Sequence, residues 1–277
     1  MSTMQDTIKR PSYSSDISEK GWQLLYPLLP KSKSGTSKGG RPASDLREIV
    51  NAIFYVVKSG CTWRDLPNDF PNWSTVYGYF DDWSKNGTWE MINQWMVQKS
   101  RKDLAERETR PSASCIDSQS VKTTMSRAQE RGFDGGKCIK GRKRFILTDT
   151  QGLLLVVFVC AANISEKAGA KKLLMYAKKK LSLRYLCSRI KLVWADGGYR
   201  GDELKNWVTK TWGWAWEVVL RSDDKKGFVV IPRRWVVERT FAWLSNNRRL
   251  SKDYEITTLN SQSMIYVASI KLMLNRF

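Results

Sequence analysis

Histidine is absent from this chain of 277 residues, and that absence removes more chemistry than any other feature of its composition. Without an imidazole there is no Ser-His-Asp or Cys-His catalysis, so hydrolytic chemistry must rest on carboxylates, lysine or a metal. Cysteine is sparse. Cys61, Cys115, Cys138, Cys160 and Cys187 are odd in number and contain no Cys-x-x-Cys pair, which argues against a disulfide scaffold and a structural zinc site. Long apolar runs are missing too: LLLVVFVCAA at 153–162 falls far short of the roughly 20 residues that cross a bilayer, and has the length of a buried strand. The N-terminal MSTMQDTIKRPSYSSD lacks the apolar core of a secretory signal, so a reducing, cytoplasmic location is expected. No unit of solenoid length repeats. Acidic residues are also in short supply, 27 against 47 Lys and Arg, for a net charge of +20. That excess points to a polyanionic partner, nucleic acid before an anionic membrane surface.

What is present reads as a helical segment followed by a mixed one. SDISEKGWQLLYPLLP predicts a short helix capped by Ser18, and KSKSGTSKGGRP a flexible basic connector. Arg41, in Gly-Arg-Pro, has the reach to enter a minor groove, although a solvated linker is the commoner reading. From Asp45, Leu46, Ile49, Val50, Ile53, Phe54 and Val57 recur at helical spacing up to Gly60. Two shorter helices follow, one capped by Thr62 and one by Ser74, and the three together resemble a helix-turn-helix module. A purely structural three-helix unit is the alternative, and Asp81 and Asp82 count against the last helix lying on phosphates. TWEMINQWMVQKSRKDLAER predicts a longer helix leading to Pro111.

Beyond Pro111 three strand-like runs occur in succession, SASCIDSQSVKTT, RFILTDT and LLLVVFVCAA. A helix, a strand (IKLVWAD), a helix, a strand (WEVVLRS) and the helix at 233–250 complete the order βββαβαβα. This is the order of an RNase H-like α/β domain. The expected division is a helical DNA-binding domain over 14–110 and a catalytic domain over 111–277.

Two carboxylates stand at unusual places in that plan. Asp117 interrupts the first strand and Asp196 ends the fourth. In an RNase H-like sheet those strands are neighbours, roughly 4.8 Å apart. Glu238, alone among the arginines of RRWVVERTFAWLSNNRRL, could close the site from the last helix. A carboxylate on a central strand is costly to bury unless a cation compensates it, and three oxygen donors suit Mg²⁺ or Mn²⁺. Each acid also has a plain reading: Asp196-Gly197 as a turn, Asp117-Ser118 as a bulge or cap, Glu238 as an i,i+4 partner of Arg234. Their joint occurrence on the expected elements in the expected order favours a site.

Bases surround these positions. Residues 122–144 carry eight of them against Glu130 and Asp134. Lys122, Lys137, Lys140, Arg142, Lys143 and Arg144 are expected to bind DNA phosphates, together with Arg234, Arg239, Arg248, Arg249 and Lys252 of the last helix region. A solvated basic loop is the usual alternative for such a run.

These segments resemble the IS5-family insertion-sequence transposases. IDSQSVKTT, KGRKRFILTDTQGLLL, WADGGYRG and FVVIPRRWVVERTFAWLSNNRRLSKDYE, with GRPASDLREIVNAIFYVVKSGCTWRDLPNDFPNWSTVYGYFDDWSKNGTWE ahead of them, carry the resemblance from about Trp22 to the C-terminus. It implies a DDE transposase with an RNase H-like catalytic domain, with Asp117, Asp196 and Glu238 as its acidic residues. It also implies two Mg²⁺ ions per site, double-stranded DNA as partner, and at least a homodimer to hold two transposon ends. Arg234 matches the arginine of a Tyr-Arg-Glu-Lys signature, whereas Ile231 and Ser245 stand at the tyrosine and lysine positions. Phe145 stands where relatives often carry histidine and is not expected to be catalytic. Two other functions fit parts of the sequence: a DNA-binding regulator with a dead site, which the three acids oppose, and a junction-resolving nuclease, which the extra helical segment opposes.

Overall fold

Ser18 caps the first helix, α1 (Glu19–Leu25), accepting from the Gly21 N–H at a helix end that has no acceptor of its own. The structure is a computed structural model that describes residues 10–30, 44–124, 128–219 and 235–277. Asp45 starts α2 (Leu46–Ser59), and Gly60 ends it at φ 74°, a left-handed position that favours glycine. The next two helices differ from expectation. After Thr62 the chain makes one 3-10 turn, Trp63–Asp65, and Leu66 is extended, as a residue before proline prefers. Asn72, rather than Ser74, caps α3 (Trp73–Lys85): its side-chain oxygen accepts from both the N–H and the hydroxyl of Ser74. The three-helix module is therefore α2, a single turn and α3. Helix α4 (Thr88–Lys99) runs into one π-helical turn, Ser100–Leu104.

The sheet follows: β1 (Ala113–Lys122), β2 (Gly132–Asp134), β3 (Ile139–Asp149) and β4 (Leu154–Ala161). Then come α5 (Glu166–Lys179), α6 (Leu181–Leu186), β5 (Leu192–Ala195), α7 (Asp202–Trp212) and β6 (Ala215–Val218). Helices α8 (Trp235–Ser245) and α9 (Thr258–Leu274) complete the described chain. Strand β1 pairs antiparallel with β3 and parallel with β5; β3 also pairs antiparallel with β4, and β5 runs parallel to β6. The spatial order β4-β3-β1-β5-β6, three antiparallel strands and then two parallel ones, is RNase H-like. The short β2 lies beside the start of β3, so β3 begins at Ile139, well before the expected Arg144.

Helix α9 was not expected. Its sequence TLNSQSMIYVASIKLML has no polar stripe because it is buried almost all round, between α4, α2 and β4. The helices ahead of the sheet thus share one apolar core with it. No helix among the described residues is long and apolar enough to cross a membrane.

Internal guanidinium groups hold the tail of the chain to the sheet. Arg142, fully buried on β3, donates to Asp253 (3.0 Å) and to the carbonyls of Gln129, Glu255 and Ile256. Arg144 donates to the carbonyls of Leu250 and Lys252, and Arg101, in the π-turn, pairs with Asp149 at the end of β3. Removing one partner of a buried ion pair leaves the other charge uncompensated. Arg142→Met is therefore expected to lower stability by about 3–5 kcal/mol in denaturant titration; a loss below about 1 kcal/mol would show that Arg142 does not anchor the 253–257 segment.

Candidate active site

Asp117 lies mid-strand on β1, opposite Ile146 of β3, partly buried, with its carboxylate accepting from the Ser118 N–H at 2.7 Å. The parallel pairs between β1 and β5 run Ala113–Leu192, Ser114–Val193 and Cys115–Trp194. Two residues further along both strands stand Asp117 and Asp196. Strand β5 ends at Ala195, one residue before Asp196; continued for two residues with side chains alternating at period 2, the register would set both aspartates at adjacent positions on the face that Cys115 and Trp194 share. Asp196 also caps the 3-10 turn Gly197–Tyr199, its carboxylate accepting from the Gly198 N–H at 2.8 Å. The turn reading and the site reading thus meet in one residue.

Gly198 lets this corner close: a Cβ there would stand 3.1 Å from the Asp196 carboxylate and 3.3 Å from Cγ of Glu166. Glu166, in the first turn of α5, accepts from Lys143 at 3.1 Å. Tyr199 is fully buried beneath the corner, its ring edge-on to Trp216, its hydroxyl turned toward Ser118. Burial, and then the charges of Asp117, Asp196 and Glu166, hold that hydroxyl well above the usual tyrosine range. Sequence reasoning missed Glu166 and Tyr199. In SEKAG and GGYRG they look like an ordinary helix start and turn, and only the crossover from β4 through α5 to β5 brings them together.

Glu238 is exposed in the first turn of α8, while Val237, Phe241 and Leu244 form the buried stripe expected of that helix. Phe241, Leu244 and Ser245 line a small internal cavity with Gln119, Arg144 and Ile146. Gln119 is two residues from Asp117 on the same face of β1, and Ile146 is Asp117's cross-strand partner. Helix α8 therefore covers the face that carries Asp117, with Glu238 toward its N-terminal end. Among the described residues no three His, Cys, Asp or Glu side chains are gathered closely enough to hold a metal ion. The donors on offer are carboxylate oxygens alone, a set that fits a hard divalent cation.

The expected DNA-binding bases divide sharply. Arg41 and Arg234 lie outside the described residues. Arg142, Lys143, Arg144 and Arg249 are buried, which corrects the expectation that they face phosphate. A cation inside a protein must be matched internally, and each is: Arg142 and Arg144 as above, Lys143 by Asp134 and Glu166, Arg249 by Glu255 and the Cys61 carbonyl. Arg239 is partly exposed. Its guanidinium lies 4.2 Å from the ring centre of Trp235 and 4.4 Å from that of Trp243, and donates to the Gln151 carbonyl. Lys122, Lys137, Lys140, Arg248 and Lys252 are exposed. Lys122 pairs across from Gly141, and its carbonyl accepts from the Asp253 N–H, so Lys122, Lys140 and Lys252 gather at one end of the sheet.

Residues 108–272 match the family model described as "Transposase DDE domain", and residues 17–93 match the one described as "Putative transposase of IS4/5 family". The insertion element IS402 uncharacterized 16.2 kDa protein of Burkholderia cepacia is 31% identical over 109 residues, covering 38% of this chain and 72% of that protein. A second protein of that organism, "Putative transposase for insertion sequence element IS402", is 30% identical over 116 residues, covering 42% of this chain and 54% of that one. Among solved structures, the Mos1 transposase paired-end complex with left transposon end aligns with 87% of this chain and 80% of its own at 10% identity. The TM-score of 0.27 marks a likeness too slight to carry weight.

Beside the carboxylates, Asp134 joins β2 to β1 and β3. The Ser120 hydroxyl donates to it at 2.5 Å, the Lys137 N–H and the Lys143 amine add support, and its pKa falls from 3.8 to about 2. A carboxylate with a depressed pKa stabilises the fold above its unfolded value and loses that contribution as pH falls through the folded value. Asp134→Asn should thus be less stable than the natural protein at pH 6, with the difference shrinking from about pH 4 to about pH 2. An unchanged difference across that window, measured by denaturant titration, would contradict this.

Proposed function

The chain belongs to the DDE transposases of the IS4/5 type, and from that premise we propose that it cuts and joins DNA at the ends of an insertion sequence, with Asp117, Asp196 and Glu238 as its acidic residues. The observation that carries this reading is the β1–β5 register, whose last recorded pair stops two residues short of both aspartates.

Asp117, Asp196 and Glu238 would hold Mg²⁺, for which Mn²⁺ would substitute, two ions to a site. When bound, such ions supply Lewis-acid activation of water, and later of a 3′-hydroxyl, for in-line displacement at phosphorus. The chain's own part is positioning. Strand β1 fixes Asp117 within a ladder and the Gly198 N–H donates to Asp196, while Glu238, in the first turn of α8, would complete the set from the helix that packs on β1. Neither displacement needs a covalent protein intermediate. Water opens a phosphodiester at the transposon end and leaves a 3′-hydroxyl; that hydroxyl then attacks a target phosphodiester and expels another.

The DNA is held by bases left at the surface. Lys122, Lys140 and Lys252 lie at one end of the sheet, Lys137 in the β2–β3 turn and Arg248 in the 3-10 turn after α8. Arg234, four residues ahead of Glu238 in the sequence, and Arg41 are proposed as further DNA contacts. We assign terminal-repeat binding to 14–110 and catalysis to 111–277, a division supported by the two matched stretches. The working form is a homodimer or larger synaptic assembly acting in the cytoplasm on the nucleoid.

The test is a strand-transfer assay with a 3′-hydroxyl transposon end, plasmid target and Mg²⁺ or Mn²⁺. Asp117→Ala, Asp196→Ala and Glu238→Ala should each cut cleavage and joining by about a thousandfold or more, with duplex binding within about twofold of the natural protein. Normal cleavage by Glu238→Ala would return Glu238 to a surface ion pair with Arg234. Cutting without joining by the natural protein would favour a nuclease.

A further inference from the structure

Away from the carboxylates, a cavity of about 310 Å³ opens where the N-terminal segment, the end of α2 and the loop after α8 meet. Ser14, Ser15, Lys58, Ser59, Asn246 and Arg248 are among the residues that line it. Lys58 reaches across it to the Asn246 carbonyl at 3.4 Å, and Arg248 is exposed at its rim. Lys271, on α9, does not line the cavity but is near enough to Lys58 to feel its charge, and its amine lies 5.6 Å from the ring centre of Phe54. It is 7% exposed, and its amine has no hydrogen-bond partner among the described residues. Burial, with the charge of Lys58 adding to it, brings this amine down to about 8. Asp16, the carboxylate that acts on Lys271, is already held through both its oxygens by Arg10 at 2.9 Å, and Arg10 also pairs with Glu48.

The hydroxyls point the same way. Ser59 is committed to the Tyr55 carbonyl, but Ser15, which lines the cavity and is 2% exposed, has a buried hydroxyl with no partner among the described residues. A buried donor without an acceptor is costly. An anion with several acceptor oxygens, entering where Lys58 and Arg248 line the cavity with positive charge, would satisfy it.

We propose that this cavity binds a phosphate group, and that its occupant is a phosphodiester of the DNA backbone; the second half rests on the transposase reading. The cavity is built from both sequence regions, Ser15 and Lys58 from the first and Arg248 from the second. A phosphate held there would fasten the helical segment and the catalytic segment to one DNA strand.

The site is tested first with inorganic phosphate, titrated into the full chain in chloride buffer and followed by ³¹P NMR. Saturable binding is expected, weakened about tenfold by Ser15→Ala and by Lys58→Gln, and unchanged by Lys205→Gln on the distant exposed face of α7. Phosphate binding untouched by Ser15→Ala and Lys58→Gln overturns the pocket. The second arm measures duplex DNA affinity against NaCl, where Lys58→Gln should make the slope of log K against log salt shallower by about 0.9. Variants that lose phosphate but keep the duplex slope overturn the DNA occupant and leave a free-phosphate site. A natural protein that takes phosphate but no duplex at any salt counts against the DNA reading itself, separately from the pocket.

Discussion

The parallel pairing of β1 with β5 is the constraint on which the site depends. Three recorded pairs set it, and a slip of one residue would turn Asp196 to the face opposite Asp117. The register is guarded from both sides. Strand β1 is locked along its length against β3, and β5 is locked against β6, so neither is free to shift alone. The α5–α6 crossover that connects β4 to β5 also brings Glu166 against Gly198, behind the corner where Asp196 turns.

The second organising theme is cations used inside. A net charge of +20 suggests a surface coated in bases, yet several arginines are interior fasteners. Arg142, Arg144 and Arg249 tie the segment between α8 and α9 to β3 and to the loop after α2. Each uses the planar fork of the guanidinium to satisfy several acceptors at once, which lysine cannot do. The surface is less basic than composition implied: of the bases singled out, Lys122, Lys137, Lys140, Arg248 and Lys252 are the ones exposed among the described residues.

Much of the plan was legible beforehand because it rests on local rules. Ser18 and Asp45 at helix starts, Gly60 at a helix end and the apolar run of β4 each speak through their own neighbours. Asp117 and Asp196 stood out in the sequence for a different reason: a carboxylate in or at the end of a strand is expensive to bury, so its presence invites an explanation. What could not be read is what tertiary packing decides. KGRKR resembles a solvated loop until β2 and β4 flank it and the 253–257 segment covers Arg142. Helix α9 lacks a polar stripe because both sides meet protein. Tyr199 and Glu166 gain their meaning only when distant strands meet.

We propose that Asp117 and Asp196 form one cation site by virtue of that register. Mn²⁺ binding to the full chain, followed by electron paramagnetic resonance, tests it most directly, with Asp117→Asn, Asp196→Asn and the double variant. A shared site predicts that either substitution abolishes the tightest binding and that the double variant is no worse than the singles, because the two changes remove the same interaction. Tight binding that survives in both single variants, or losses that add independently, would contradict the account.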